Sequence, residues 1–148
     1  METKELMTEI EVRYSETDKM GIVYHANYLV YLEIARTRFL EALGFPYIDM
    51  ETDGYLSPVL NCNLNYGKPC KYGDTVVVFT SVTKLTPVRT EYSYRIYVKG
   101  DDLENDAPRF TGSTTHCLVD GKTFKPLNQK KLYPGLYAAY QKVLVEKD

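Results

Sequence analysis

The sequence predicts an α+β domain in which an antiparallel five-stranded sheet wraps around one long central helix, with a short helix at the C-terminus. Apolar residues recur at helical spacing after a first strand. Residues 55–120 then form a series of predicted strands, and two of them, at 60–66 and 91–98, alternate apolar and polar side chains as half-buried strands do. Short strands joined in series by tight turns pair antiparallel. A helix that is apolar over most of its surface must be covered, so one sheet face is expected to pack on it.

The first strand is predicted over Glu9–Tyr14. Ile10, Val12 and Tyr14 fall on one face of this segment, and charged residues fall on the other. This alternation has a period of two, which is typical of a strand with one buried face.

The central helix is predicted from Asn27 to Leu43. Asn27 is a good N-cap residue, and Gly44 followed by Pro46 is a stop signal. Few polar residues interrupt the apolar surface, so the helix is expected to be mostly buried. The residues that recur at helical spacing are Tyr28, Tyr31, Leu32, Ala35 and Phe39.

The remaining strands are bounded by glycine and proline turns. They are predicted at residues 60–66, 75–85, 91–98 and 110–119, and the C-terminal helix begins near Pro134. No segment has the composition of a linker, so residues 1–148 are expected to form a single domain.

Composition excludes several classes of protein. A hydrophobic fraction of 44% indicates a folded domain, and a net charge of −2 without a basic run argues against a nucleic-acid partner. No apolar run is long enough to span a membrane, so no integral membrane segment is expected. Three cysteines without a C-x-x-C pair indicate reduced thiols and a cytoplasmic protein. With His25 and His116 as the only histidines and no ligand spacing, no metal site is predicted.

Residues 14–28 form the most informative segment, because they place a carboxylate, a glycine turn, a histidine and a helix start close together. Asp18 has two interpretations. It is a candidate general base or nucleophile, and it is equally a turn residue whose partner is Gly21, since Asp-x-x-Gly is common turn chemistry.

Two neighbours of Asp18 are candidates for the same chemistry. The His25 side chain suits proton transfer near neutral pH, and its N–H lies at the positive end of the helix dipole. Tyr14 is placed at the end of the first strand, where its hydroxyl could reach Asp18 or a bound acyl group; the alternative is core packing. His116 lies within a predicted strand and is expected to be structural.

Residues 14–28, running into an apolar helix, resemble the 4-hydroxybenzoyl-CoA thioesterase-like family of hotdog-fold proteins. The histidine after Val23 and Tyr24 is similar to that of the Tol-Pal-associated acyl-CoA thioesterase branch. Residues 64–74 and 117–122 also resemble the family, so that the likeness covers nearly the whole chain.

The resemblance implies a hotdog fold, a homodimer or homotetramer with active sites at the subunit interface, and an acyl-CoA substrate without a cofactor. It implies that Asp18 is the catalytic carboxylate and that the N–H of His25 polarises the thioester carbonyl. The catalytic residues so implied are Asp18, His25 and Tyr14, and the substrate-binding residues at the helix start are Tyr24, Asn27 and Tyr28.

Two rival functions remain open. A hydratase on the same fold would usually place a histidine differently and a carboxylate on the helix, whereas His25 precedes the helix here. A non-catalytic acyl-CoA-binding or scaffold protein would not need Asp18, so the presence of Asp18 favours the hydrolase.

Overall fold

The computed structural model describes residues 3–146, which fold into one five-stranded sheet, one two-stranded sheet and four helices. The strands are β1 (Glu5–Glu11), β2 (Tyr55–Leu56), β3 (Val59–Tyr66), β4 (Thr75–Leu85), β5 (Thr90–Val98), β6 (Phe110–His116) and β7 (Val119–Asp120). The helices are α1 (Tyr28–Leu43), α2 (Tyr47–Thr52), α3 (Gln129–Leu132) and α4 (Pro134–Val143).

The larger sheet has the strand order β1-β4-β5-β6-β3, and every pairing within it is antiparallel. The short strands β2 and β7 pair separately. The prediction of an antiparallel five-stranded sheet with a central helix and a C-terminal helix is therefore confirmed.

Helix α1 buries one side against the inner face of the sheet. Tyr28 stacks on Phe110 of β6, with ring centroids 5.0 Å apart, and Phe39 meets Tyr92 of β5 edge-to-face at 5.8 Å. Gly44 ends the helix as predicted, because its φ of 88° is a left-handed conformation that glycine adopts without steric cost. The predicted buried stripe is confirmed at Tyr28, Tyr31, Leu32, Ala35 and Phe39.

Four details of the prediction were wrong. The first strand ends at Glu11, so Tyr14 lies in a short 3-10 turn, Tyr14–Glu16, rather than at the strand end. Asn27 makes no side-chain cap, because its side chain points to another backbone carbonyl. The last long strand stops at His116, and β7 follows in the smaller sheet. Helix α2 was not predicted.

The two edges of the large sheet differ in charge. Three of the seven residues of β1 are glutamates, whereas β3 has no charged residue among its eight. Most of β3 is exposed, including Val59, Leu60 and Tyr66 at nearly half of their surface. Natural sheets protect their edges with charged side chains, so β3 is the edge left open to pairing with another strand.

None of the helices within residues 3–146 is long and apolar enough to cross a membrane. In the same range, no three His, Cys, Asp or Glu side chains come together in an arrangement that could hold a metal ion.

Candidate active site

Asp18 lies at the start of a tight hairpin. Thr17 and Val23 pair as an isolated bridge, and the N–H of Asp18 donates to the carbonyl of Ile22 at 2.9 Å. The reversal is made by Gly21, whose φ of 80° is left-handed and whose N–H donates to the carbonyl of Asp18 at 3.0 Å. The loop is therefore held by backbone hydrogen bonds at both ends.

The Asp18 side chain caps this turn. Its Oδ1 accepts the N–H of Met20 at 2.8 Å, which is an Asx turn, and the residue is half-buried. The turn interpretation of Asp18 is thus part of the structure. It leaves the catalytic interpretation open, because a carboxylate has a second oxygen and further lone pairs after one such bond.

Glu16 anchors the hairpin to the rest of the domain. Its carboxylate accepts hydrogen bonds from the Arg13 N–H at 2.8 Å, from the Arg13 guanidinium at 3.1 and 3.2 Å, and from the Tyr31 hydroxyl at 3.0 Å. Its backbone carbonyl accepts from the N–H of Tyr24 and from the side-chain amide of Asn27, both at 2.9 Å. One buried residue therefore joins the strand end, the central helix and the helix start.

The charge of Glu16 is stabilised in the fold. Burial alone would raise its pKa, but hydrogen bonds from the Arg13 N–H, the Tyr31 hydroxyl and the Arg13 side chain outweigh burial and lower the pKa. Sequence reasoning missed this residue. The signal available was an acid three residues after Arg13, and the contact with Tyr31 spans 15 positions and follows no local pattern.

The start of the central helix is a 3-10 turn, His25–Asn27, that leads directly into α1. The N–H of Tyr24 donates to the backbone carbonyl of Glu16, and the N–H of Asn27 donates to the carbonyl of Tyr24 at 2.8 Å. The first N–H groups of a helix have no acceptor within the helix, so the N–H groups of His25 and Ala26 are those that this turn offers to a ligand. Tyr24 before it is extended, with φ −60° and ψ 132°.

Aromatic rings surround the helix start. The His25 ring lies 4.4 Å from the Tyr24 ring and 6.4 Å from the Tyr66 ring, and the Tyr66 hydroxyl donates to the carbonyl of His25 at 2.9 Å. His25 and Tyr24 are exposed. Tyr28 is buried where its ring stacks on Phe110 of the sheet. Desolvation first, and then the nearby Cys70 thiol, raise the pKa of the Tyr28 hydroxyl. The exposed face of this cluster is therefore Tyr24, His25 and Tyr66.

Tyr14 points away from the core. It is 76% exposed and its ring meets Tyr72 edge-to-face at 5.7 Å, so the core-packing alternative is wrong. Within residues 3–146 the Tyr14 hydroxyl makes no hydrogen bond to Asp18, and neither does the His25 side chain. The structure thus brings Asp18, Tyr24, His25 and Asn27 into one loop system through backbone contacts.

A partly enclosed cavity lies elsewhere in the domain. It has a volume of about 200 Å³ and lies beside the second half of α1, and neither Asp18 nor His25 lines it. His116 is one of its walls and is buried, with its Nε2 hydrogen-bonded to Thr114 Oγ1 at 2.8 Å, which fits the structural interpretation of this residue. The loop of Asp18 is instead an open surface of the single chain.

Comparisons with known proteins identify the family. The model of the thioesterase superfamily matches residues 20–104. A Bacillus subtilis (strain 168) protein named as a candidate acyl-CoA thioesterase, YneP, is 47% identical over 134 residues, which cover 90% of this chain and 94% of the relative. This chain belongs to the thioesterase superfamily.

Other relatives agree with this assignment. The acyl-CoA thioesterase YbgC of Helicobacter pylori (strain J99) is 28% identical over 86% of this chain and 96% of its own length. The crystal structure of DHNA-CoA thioesterase from Staphylococcus aureus superposes with a TM-score of 0.88 at 39% identity, covering 97% of this chain and 99% of that chain. The predicted hotdog fold is confirmed by this match, because it extends over nearly the whole domain.

Proposed function

We propose that this protein is a thioester hydrolase that cleaves acyl-CoA into a free acid and CoA. The observation that carries the proposal is the 47% identity to YneP over 90% of the chain, joined to a loop that presents a carboxylate beside a helix start. Both parts are needed, since the fold alone does not define a reaction.

The helix start supplies the electrophilic half of the mechanism. A thioester carbonyl oxygen placed against the N–H of His25 gains a hydrogen bond and the positive end of the α1 dipole. Negative charge develops on this oxygen as the carbonyl is attacked, so the interaction strengthens in the transition state. The His25 carbonyl is held by Tyr66, which fixes the orientation of the turn.

Asp18 supplies the nucleophilic half. Either it takes a proton from water as the water attacks the carbonyl carbon, or its carboxylate attacks first to give a mixed anhydride that water then hydrolyses. In both routes the C–S bond breaks and the electron pair leaves with the CoA sulfur. Because the thiolate is a fair leaving group, no strong acid is required. Backbone hydrogen bonds close the hairpin that carries Asp18, which supports a defined place for its carboxylate.

The active form is proposed to be a homodimer or homotetramer with the site at a subunit interface. The support is the uncharged, exposed edge β3, whose Tyr66 contacts the helix start. A second copy pairing with β3 would cover this edge and close the open side of the Asp18 loop. Cytoplasmic localisation is part of the same proposal.

The class of acyl group on the substrate, aliphatic or aromatic, is a separate part of the proposal. Membership of the Tol-Pal-associated branch, which the sequence resemblance implies, stays a proposal, and the resemblance to the 4-hydroxybenzoyl-CoA thioesterase-like family does not define the acyl group. The 39% identity to the Staphylococcus aureus DHNA-CoA thioesterase favours an aromatic acyl group as the first to examine.

The test is release of free thiol from a panel of acyl-CoAs that runs from short aliphatic to long-chain and aromatic, including DHNA-CoA. Saturable turnover with at least one member is expected and reveals the acyl preference. Tight acyl-CoA binding without turnover on any member would contradict the hydrolase and support a binding or scaffold protein.

A further inference from the structure

The cavity beside the second half of α1 has neither Asp18 nor His25 in its lining. It lies between α1, the inner face of β5 and β6, and α4, and it holds about 200 Å³. Its apolar walls come from Leu40, Met50 and Leu136, and Arg36 and Thr37 of α1 also line it. Ligand pockets commonly hold about 300–1,000 Å³, so this one suits a compact molecule.

Arg36 is the unusual member of this lining. Three arginines within residues 3–146 are half-buried, and the other two are paired with carboxylates: Arg95 with Glu5 at 2.8 Å and Arg109 with Asp101 at 2.7 Å. Within the same range Arg36 has no carboxylate within 4.0 Å, and its one hydrogen bond is a long 3.4 Å contact to the Tyr94 hydroxyl.

A guanidinium carries five N–H donors, so most of the hydrogen-bonding capacity of Arg36 is unused by the protein. Arg36 is part-buried and none of its nitrogens is a fully buried orphan, so its remaining donors face the cavity and its opening; an anion there would receive charge-assisted hydrogen bonds from them. Glu33 lies one turn earlier on the rim, but its side chain is exposed and not within ion-pair distance of Arg36.

The other polar wall, His116, does not supply charge. Burial first, and then the nearby Arg36, lower its pKa to about 4, although the backbone of Ser57 and Pro58 opposes this. That backbone is close, yet His116 Nδ1 makes no hydrogen bond of good geometry to any described residue. At neutral pH His116 is therefore uncharged, and the positive charge of the cavity is that of Arg36.

We propose that this cavity binds a small monocarboxylic acid with a compact apolar body, the carboxylate on Arg36 and the body against Leu40, Met50 and Leu136. It is a second site, separate from the loop of Asp18. Glu33 lies six residues beyond Asn27, about 9 Å along the helix axis. His116 lies six residues along β6 from Phe110, which packs at the helix start, or about 20 Å along the strand.

The acid could be the product of the proposed thioester hydrolysis or an unrelated metabolite, and the two share this chemistry. Benzoate is the probe, and benzamide is the neutral control of the same shape. Benzoate is expected to bind saturably in a calorimetric titration and to raise the melting temperature, whereas benzamide does neither. Because charge-assisted hydrogen bonds carry the contact, Arg36→Gln should weaken benzoate binding about tenfold or more, and Arg36→Lys should weaken it less.

Equal binding of benzoate and benzamide, or undiminished binding in Arg36→Gln, would overturn the proposal. If Arg36→Gln does not fold, Thr37→Leu narrows the cavity without removing the charge and should also weaken benzoate binding. Asp18→Asn must bind benzoate as the wild type does. Loss of binding in that variant, or displacement of benzoate by CoA, would place the acid in the hydrolytic site and refute a second site, whatever the outcome for the hydrolase itself.

Discussion

Replacing Glu16 tests how the loop of Asp18 is held. Glu16→Ala removes four hydrogen bonds: three from Arg13 and one from the Tyr31 hydroxyl. The Arg13 side chain is 73% exposed, so its ion pair contributes little, about 0–1 kcal/mol. The buried Tyr31 hydroxyl and the Arg13 N–H lose their acceptor, which costs about 1–3 kcal/mol.

The expected loss in the free energy of unfolding is therefore about 1–4 kcal/mol for Glu16→Ala and about half of that for Glu16→Gln, which keeps one acceptor oxygen. The assay is urea unfolding at pH 7. The matched control is Glu41→Gln, whose carboxylate forms an exposed pair with Arg38 at the same three-residue spacing. This control should change stability by less than about 0.5 kcal/mol.

The pH dependence gives an independent check. The pKa of Glu16 is lower in the folded state than its ordinary value of 4.5, so its ionised form is favoured by folding. Its contribution is complete above pH 4.5 and is lost as the pH falls through the lower folded-state pKa. The difference between wild type and Glu16→Gln should shrink in acid. A difference that stays constant from pH 7 to pH 3, or no difference at pH 7, would refute the role given to Glu16.

Three further predictions concern the helix start, the open edge and the sheet. His25→Pro, which removes the N–H, should lower thioester hydrolysis about 10²–10³-fold, whereas His25→Ala keeps the N–H and should lower it much less; equal losses would contradict the backbone role. Leu60→Glu on β3 should yield monomers by light scattering, while the equally exposed control Leu103→Glu should not; an unchanged oligomer would exclude this edge. Gly112→Ala should lower the free energy of unfolding, measured with urea, by about 1–3 kcal/mol, because a Cβ there would lie 2.7 Å from the Asn63 carbonyl oxygen. Unchanged stability would contradict this and show that the strand shifts to make room for the methyl group.

Local patterns explain which parts of the fold were predictable. Helix α1 was predicted because its stripe follows a period of 3.6 and Gly44 supplies the left-handed stop. Strands β3 and β5 were predicted because their apolar residues alternate with polar ones. These signals act between near neighbours in the chain, which is why sequence spacing suffices to detect them.

The misplaced details depend on distant contacts. The first strand was placed too late because its end is fixed by pairing with β4, where Glu11 meets Thr75. Asn27 was predicted to cap the helix with its side chain, but its side-chain amide donates instead to the backbone carbonyl of Glu16, eleven residues away in the sequence. The candidate site was found through Asp18 and His25 because the turn that joins them is coded by neighbouring residues. The hydrogen bonds of Glu16 to the central helix, and the cavity beside Arg36, form only when the strands and the helix pack together.

The most direct measurement compares thiol release from the best acyl-CoA by wild type, Asp18→Asn and Asp120→Asn. Asparagine keeps the oxygen that caps each turn, and Asp120 Oδ1 accepts the N–H of Lys122 at 2.8 Å just as Asp18 accepts that of Met20. If Asp18 is the catalytic carboxylate, Asp18→Asn loses about 10²–10⁴-fold in rate at unchanged stability, and Asp120→Asn stays active. Full activity in Asp18→Asn would reduce Asp18 to a turn residue and contradict the proposed mechanism.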